Sequence, residues 1–200
     1  MPFETALVDR RTKAQRSAAY LALNPNGLIP VLETPHGPMF ETGAILTWLS
    51  DRHGGLLPVP DAAERAHAMQ WMFWLANTLH PTLRTLFYPD TITNGDHADL
   101  KTKERLIAAL TVLENAANAV WLDAGDATAM GCYLGPMLRW CTLYGDGPRW
   151  FDLAGWPRLH VFAQRAETRP AVIRAAKAEG LGPTPFSAPI HPNPPEGSAL

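Results

Sequence analysis

The chain has 200 residues, 46% hydrophobic and 18% charged, so it can bury a core and is not a disordered segment. A formal net charge of -2 and a pI near 6.4 leave no electrostatic footprint for a nucleic-acid backbone or an anionic membrane surface. Two cysteines, Cys132 and Cys141, exclude a disulfide scaffold and fit a reducing cytoplasm. No basic-then-apolar leader and no apolar run of membrane-spanning length is read, which predicts a cytoplasmic protein. The 7 tryptophans point to an aromatic core or an apolar cleft.

Residues 3–9 (FETALVD) alternate loosely and predict a short strand. Residues 11–23 read as an amphipathic helix that ends at Asn24-Pro25. IPVLET (29–34) is a second strand, PHGP (35–38) a turn and MFE (39–41) its hairpin partner. In 42–55, Ala44, Ile45, Trp48 and Leu49 have helical spacing, closed by Gly54-Gly55. LLPVPDA (56–62) is a linker, and the pattern beyond it is helical. Residues 62–87 carry a thick apolar face that Pro81 should kink or break. Helices are predicted over 99–125 and 127–145, and 156–181 splits at Pro170. The proline-rich tail from Gly182 has no periodicity and is expected to wrap over the surface or stay disordered. The fold class is α/β then all-α, with domains at 1–55 and 62–181 and a tail at 182–200.

Two stretches stand out. In NPNGLIPVL (24–32), Pro30 sits at the first residue of a strand, where a missing N–H is tolerated. The Ile29-Pro30 bond is either trans, in a connecting loop, or cis. A cis bond would turn the Ile29 backbone outward to pair with an extended peptide. In FETGAIL (40–46), Thr42 reads as a helix N-cap. The unpaired N–H groups there could hold a carboxylate, and Glu41 could hold an amine beside it. Together these describe the end of an amino acid; simple capping is the alternative.

NPNGLIP followed closely by ETGAIL resembles the N-terminal domain of the glutathione transferase family. ANTLHPTLRTLFYP (76–89) resembles a segment of its bacterial beta class, and GPMLRW (135–140) and RPAVIRAAKAEGL (169–181) are similar to its helical domain. The resemblance implies an incomplete thioredoxin-like domain followed by a larger helical one. It implies that Pro30 is cis and that the Ile29 backbone pairs with the cysteinyl part of glutathione. Glu41 and Thr42 would bind the γ-glutamyl amine and carboxylate. His80 and Trp140 would look into the cleft between domains, with His80 as the catalytic candidate. His80 could equally be a helix-end histidine before Pro81.

The family's first strand and first helix, which carry the usual thiol-assisting Cys, Ser or Tyr, are not read in this chain. Either Met1 is an internal methionine of a longer protein, or the chain is a true truncation. Where the family has a Ser/Thr-x-x-Asp capping box, Thr128 is followed by Gly131, which predicts a less firmly held helix start.

Scattered histidines and the lack of a Cys-x-x-Cys pair give no support for a metal. Cys132 and Cys141 are expected to pack inside a helix. Arg11 or Lys13 could reach a glycyl carboxylate. The reading is a cytoplasmic, homodimeric detoxification enzyme that joins glutathione, as co-substrate, to a small electrophile without a metal, nucleic acid or membrane. The alternative is a non-catalytic glutathione-binding or protein-interaction relic of the fold.

Overall fold

The computed structural model describes residues 3–87, 96–144 and 150–195, with backbone alone over 96–99. Its sheet is a hairpin: β1 (Val31–Thr34) pairs antiparallel with β2 (Gly37–Phe40), from Val31 opposite Phe40 to Thr34 opposite Gly37. The Thr34 hydroxyl closes the turn, accepting from the His36 N–H at 3.0 Å and donating to the Gly37 carbonyl at 2.8 Å.

Residues 3–9 form no strand. Alternation supplies the faces of a strand, but a strand also needs a ladder. Among the described residues β1 and β2 pair only with each other, and Phe3 and Leu7 stay exposed. The predicted helix at 11–23 is also shorter. Lys13 takes a left-handed φ of 56°, a single 3-10 turn follows at Ala14–Arg16, and α1 is confined to Ala18–Leu23. Ser17 is its cap, accepting from the Tyr20 N–H at 3.2 Å.

Helix α2 (Thr42–His53) follows β2 and packs against it. A linker then leads into the helical part: α3 (Glu64–Trp74), α4 (His80–Phe87), α5 (Asp96–Glu114), α6 (Ala129–Leu143), α7 (Pro157–Glu167) and α8 (Pro170–Ala178). Between α3 and α4 lies a π-helical turn, Leu75–Leu79, in which the His80 N–H reaches back to the Leu75 carbonyl. The expected disruption at Pro81 is therefore a widened turn just before the proline rather than a break. The chain loosens where a ring without an N–H must be accommodated. The split at Pro170 is as expected, with the proline at the start of α8.

Helix α5 stops at Glu114, short of the predicted 125. The Arg158 guanidinium gathers the Glu114, Ala116 and Ala119 carbonyls at 3.3, 2.7 and 3.0 Å. The Glu114 carboxylate in turn accepts the Arg158 and Leu159 N–H groups at the start of α7. This exchange satisfies the loose ends of two helices at once.

Helix α6 is the central element, with Leu134, Met137, Leu138 and Cys141 fully buried. Thr128 caps it despite the missing carboxylate, accepting from the Gly131 N–H at 3.0 Å. A Cβ on residue 131 would lie 3.0 Å from the Thr128 hydroxyl and 3.2 Å from the Phe162 ring, so the close packing of α7 favours glycine there. Thr128→Ala is expected to cost about 1 kcal/mol in a urea denaturation series. Of the two cysteines, only Cys141 packs inside as expected. Cys132 is exposed, because it falls on the outer face of α6; both are free.

Two polar locks join the hairpin region to the helical part. Arg65 pairs with Asp51 at 2.8 and 3.1 Å and donates to the Pro58 carbonyl. The buried Ser50 hydroxyl accepts from the Leu57 N–H, and the Ala129 N–H donates to the Leu56 carbonyl. These locks tie α2 and the linker to the start of α6.

The described part of the tail, residues 182–195, wraps over the surface. Arg139, 5% exposed, donates to the Leu181, Pro185 and Ile190 carbonyls. Glu167 accepts the Phe186 and Ser187 N–H groups and the Ser187 hydroxyl at 2.8, 2.8 and 2.6 Å. Among the described residues no helix is long and apolar enough to cross a membrane.

Candidate functional site

The Ile29-Pro30 bond is cis. The loop before it is held from below. Asn24, 3% exposed, donates from its amide to the Leu28 carbonyl at 2.7 Å and accepts from the Asn26 N–H at 3.0 Å. The Tyr20 hydroxyl donates to the same carbonyl at 2.9 Å, and Arg16 braces the Asn26 carbonyl. Gly27 has a φ of 60°, and a Cβ there would lie 2.9 Å from the Gln15 carbonyl oxygen, so the turn requires glycine. Strand β1 starts after the proline, at Val31, and Ile29 is left 47% exposed. Among the described residues the Ile29 backbone has no hydrogen bond.

At the other end of the hairpin, Glu41 rather than Thr42 is the N-cap of α2; Thr42 is the first helical residue. The difference lies in the backbone. Glu41 takes a φ of 73°, a left-handed conformation that costs a non-glycine residue of order 1 kcal/mol or more. Its side chain is exposed and makes no capping bond. The helix start therefore lacks a side-chain cap of its own, as an anion site would require. The hairpin register sets the two features side by side. Val31 faces Phe40, so Pro30 and Glu41 are the next residues out on the two strands.

His80 and Trp140 come together, with ring centroids 5.5 Å apart. Sequence reasoning missed their partner. Tyr133 places its hydroxyl 2.9 Å from His80 Nδ1, across 53 residues, and its ring stands edge-on to the imidazole at 5.7 Å. Tyr133 lies seven residues before Trp140, two helical turns along α6, and that spacing was the one available signal.

The electrostatics join this cluster to the hairpin. Burial pushes His80 below the ordinary histidine value, the Glu41 carboxylate pulls it back up, and Arg84 adds to the depression. Burial, reinforced by Glu41, pushes the Tyr133 hydroxyl up to about 12. At neutral pH the pair is an imidazole hydrogen-bonded to a phenol. In a proton NMR titration His80 is expected to titrate below 6.5. Glu41→Ala should lower that value further and Arg84→Gln should raise it; no response to Glu41→Ala would separate the two regions. Folding disfavours the imidazolium, so the stability His80 contributes is complete above the unfolded value near 6.5 and is lost as pH falls through the lower folded value.

Of the two basic candidates, Arg11 is engaged by Asp9 at 3.3 Å, and its hydrogen bonds hold the Asp9 carboxyl below the usual carboxylate range. Cavities of about 470 Å³ under the tail and 330 Å³ between α5 and the run from the end of α3 into α4 are lined by none of Glu41, His80, Tyr133 or Trp140. Among the described residues no group of three or more His, Cys, Asp and Glu side chains is placed to hold a metal ion.

The family description "Glutathione S-transferase, N-terminal domain" matches residues 1–52. The chain is 32% identical over 189 residues to Glutathione S-transferase GST-4.5 of Xanthomonas campestris pv. campestris, covering 90% of this chain and 89% of that one. A sphingomonad glutathione S-transferase solved with glutathione is similar at a TM-score of 0.68 and 28% identity, over 82% of this chain and 79% of that one. A bacterial beta-class glutathione S-transferase from Sphingomonas chungbukensis has a TM-score of 0.66 and 26% identity, over 80% and 77%. The two-stranded sheet with its helices is the thioredoxin-like N-terminal part of that fold, followed by the helical domain. By the likeness over nine-tenths of its length, the chain belongs to the glutathione S-transferase family.

Proposed function

We propose that this protein binds glutathione and joins its thiolate to a small electrophile, in the manner of a bacterial beta-class transferase. One observation carries the reading. The hairpin register sets cis-Pro30 beside Glu41, and the Glu41 charge reaches the His80–Tyr133 pair of the helical domain. A peptide-binding edge, an amine-binding carboxylate and a proton-accepting ring thus belong to one place.

The roles follow from the chemistry of each group. The Ile29 N–H and C=O pair with the cysteinyl backbone of glutathione. Glu41 takes the γ-glutamyl amine, and Thr42 with the first N–H groups of α2 takes the carboxylate. His80, neutral at pH 7, accepts the thiol proton or donates to the thiolate; the thiolate is the nucleophile. Trp140 offers an apolar face to the electrophile. The sulfur forms a bond to the electrophilic carbon, and the leaving group departs with its electron pair. Residues 1–55 and 62–181 serve as the two domains, with 182–200 as a tail. A cytoplasmic homodimer acting in detoxification is the setting we infer from the resemblance.

The second reading is a non-catalytic glutathione-binding or protein-interaction module. One observation favours it: the Tyr133 hydroxyl is pushed up to about 12, away from thiol activation. Calorimetric titration with glutathione, followed by turnover of chlorodinitrobenzene, separates the readings. Binding with turnover is expected. Binding without turnover would leave the glutathione-binding module, and no binding by the folded protein would remove the transferase reading and leave the protein-interaction relic.

A further inference from the structure

Beyond His80 the aromatic rings continue as a cluster, in which His80 lies tilted by 33° to Trp140 and Phe87 stands edge-on to Trp140 at 86°. Ring centroids are 5.5 Å apart for His80 and Trp140, 5.4 Å for Trp140 and Phe87, and 4.6 Å for Phe87 and Tyr144. On α4, His80, Arg84 and Phe87 recur at the spacing of one helix face, while Leu83 and Leu86 bury the other. Arg84 is exposed, and among the described residues it makes no hydrogen bond or ion pair. An exposed arginine is ordinarily a solvated one. This one shares its helix face with His80 and Phe87, two rings of the cluster, and its charge is felt at the imidazole.

Resting on the transferase reading, we propose that Arg84 selects electrophiles bearing an anionic group: a planar aryl halide with a carboxylate, its ring against Trp140 and its carboxylate on the guanidinium. The guanidinium fork matches a carboxylate in two parallel hydrogen bonds, and an indole suits a planar ring. In the reaction the glutathione sulfur bonds to the halogen-bearing carbon and halide leaves with the bonding pair. The thiol proton passes to solvent, by way of His80, and the carboxylate stays unchanged.

The test compares kcat/KM for chlorodinitrobenzoate with that for chlorodinitrobenzene. Arg84→Gln also alters the charge felt by His80, but that effect acts on both substrates and cancels in the ratio. The variant is expected to lower the benzoate-to-benzene ratio roughly tenfold at low ionic strength, the scale of one charge-assisted hydrogen bond near solvent. Arg84→Lys should keep part of the preference, and added salt should shrink it. An unchanged ratio, or an equal fall for both substrates, would overturn the proposal. If neither substrate turns over, the transferase reading has failed and the selection is read by equilibrium binding of unreactive dinitrobenzoate and dinitrobenzene. Tighter binding of the benzoate, lost in Arg84→Gln, supports the proposal. No preference in the unaltered protein overturns it.

Discussion

Replacing Glu41 by alanine is expected to weaken glutathione binding by roughly 10- to 100-fold, the loss of one hydrogen bond between charged partners. The change should leave the fold intact. The Glu41 side chain is exposed and does not cap α2, so little is lost when it goes. Alanine also inherits the φ of 73° without relief, so backbone strain is nearly the same in both proteins. Glu41→Gln keeps an acceptor but not the charge and should fall between the two. The measurement is calorimetric titration with glutathione, alongside thermal unfolding. An unchanged Kd with unchanged stability would remove Glu41 from the site and leave its left-handed backbone without a functional account.

The second large effect concerns the tail. Glu167→Ala is expected to cost about 3 kcal/mol. The carboxylate, 8% exposed, accepts three hydrogen bonds from Phe186 and Ser187. Alanine leaves two backbone N–H groups without their acceptor, and lost strap contacts add to that. Phe186 packs on α6 where a Cβ on residue 135 would come within 2.9 Å of its ring, so a freed strap also uncovers the face of Gly135. Urea denaturation reads the stability, and hydrogen exchange at the Phe186 amide reads the strap itself. A loss under 1 kcal/mol with the amide still protected would show that Arg139 alone holds the tail.

The sequence by itself determined the features that depend on near neighbours. Pro30 before an apolar strand, a helix opening at Thr42, the disturbance near Pro81 and the split at Pro170 each follow from residues within a few positions of one another. The same locality made the two N-terminal motifs readable, and with them the family. Only the tertiary structure decided the rest. Residues 3–9 have the alternation of a strand but no described ladder partner, and pairing is not a local property. The cap of α2 passed from Thr42 to Glu41 because the hairpin delivers the chain into the helix with a left-handed residue. Asn24 reads in the sequence as the end of a helix, and packing makes it also the buried clamp of the cis-proline loop. Tyr133 meets His80 across 53 residues, and Arg139 and Glu167 capture a tail that has no pattern of its own. These contacts are made by packing between elements far apart in the chain, where the periodicity of one element says nothing of which side chain will face it.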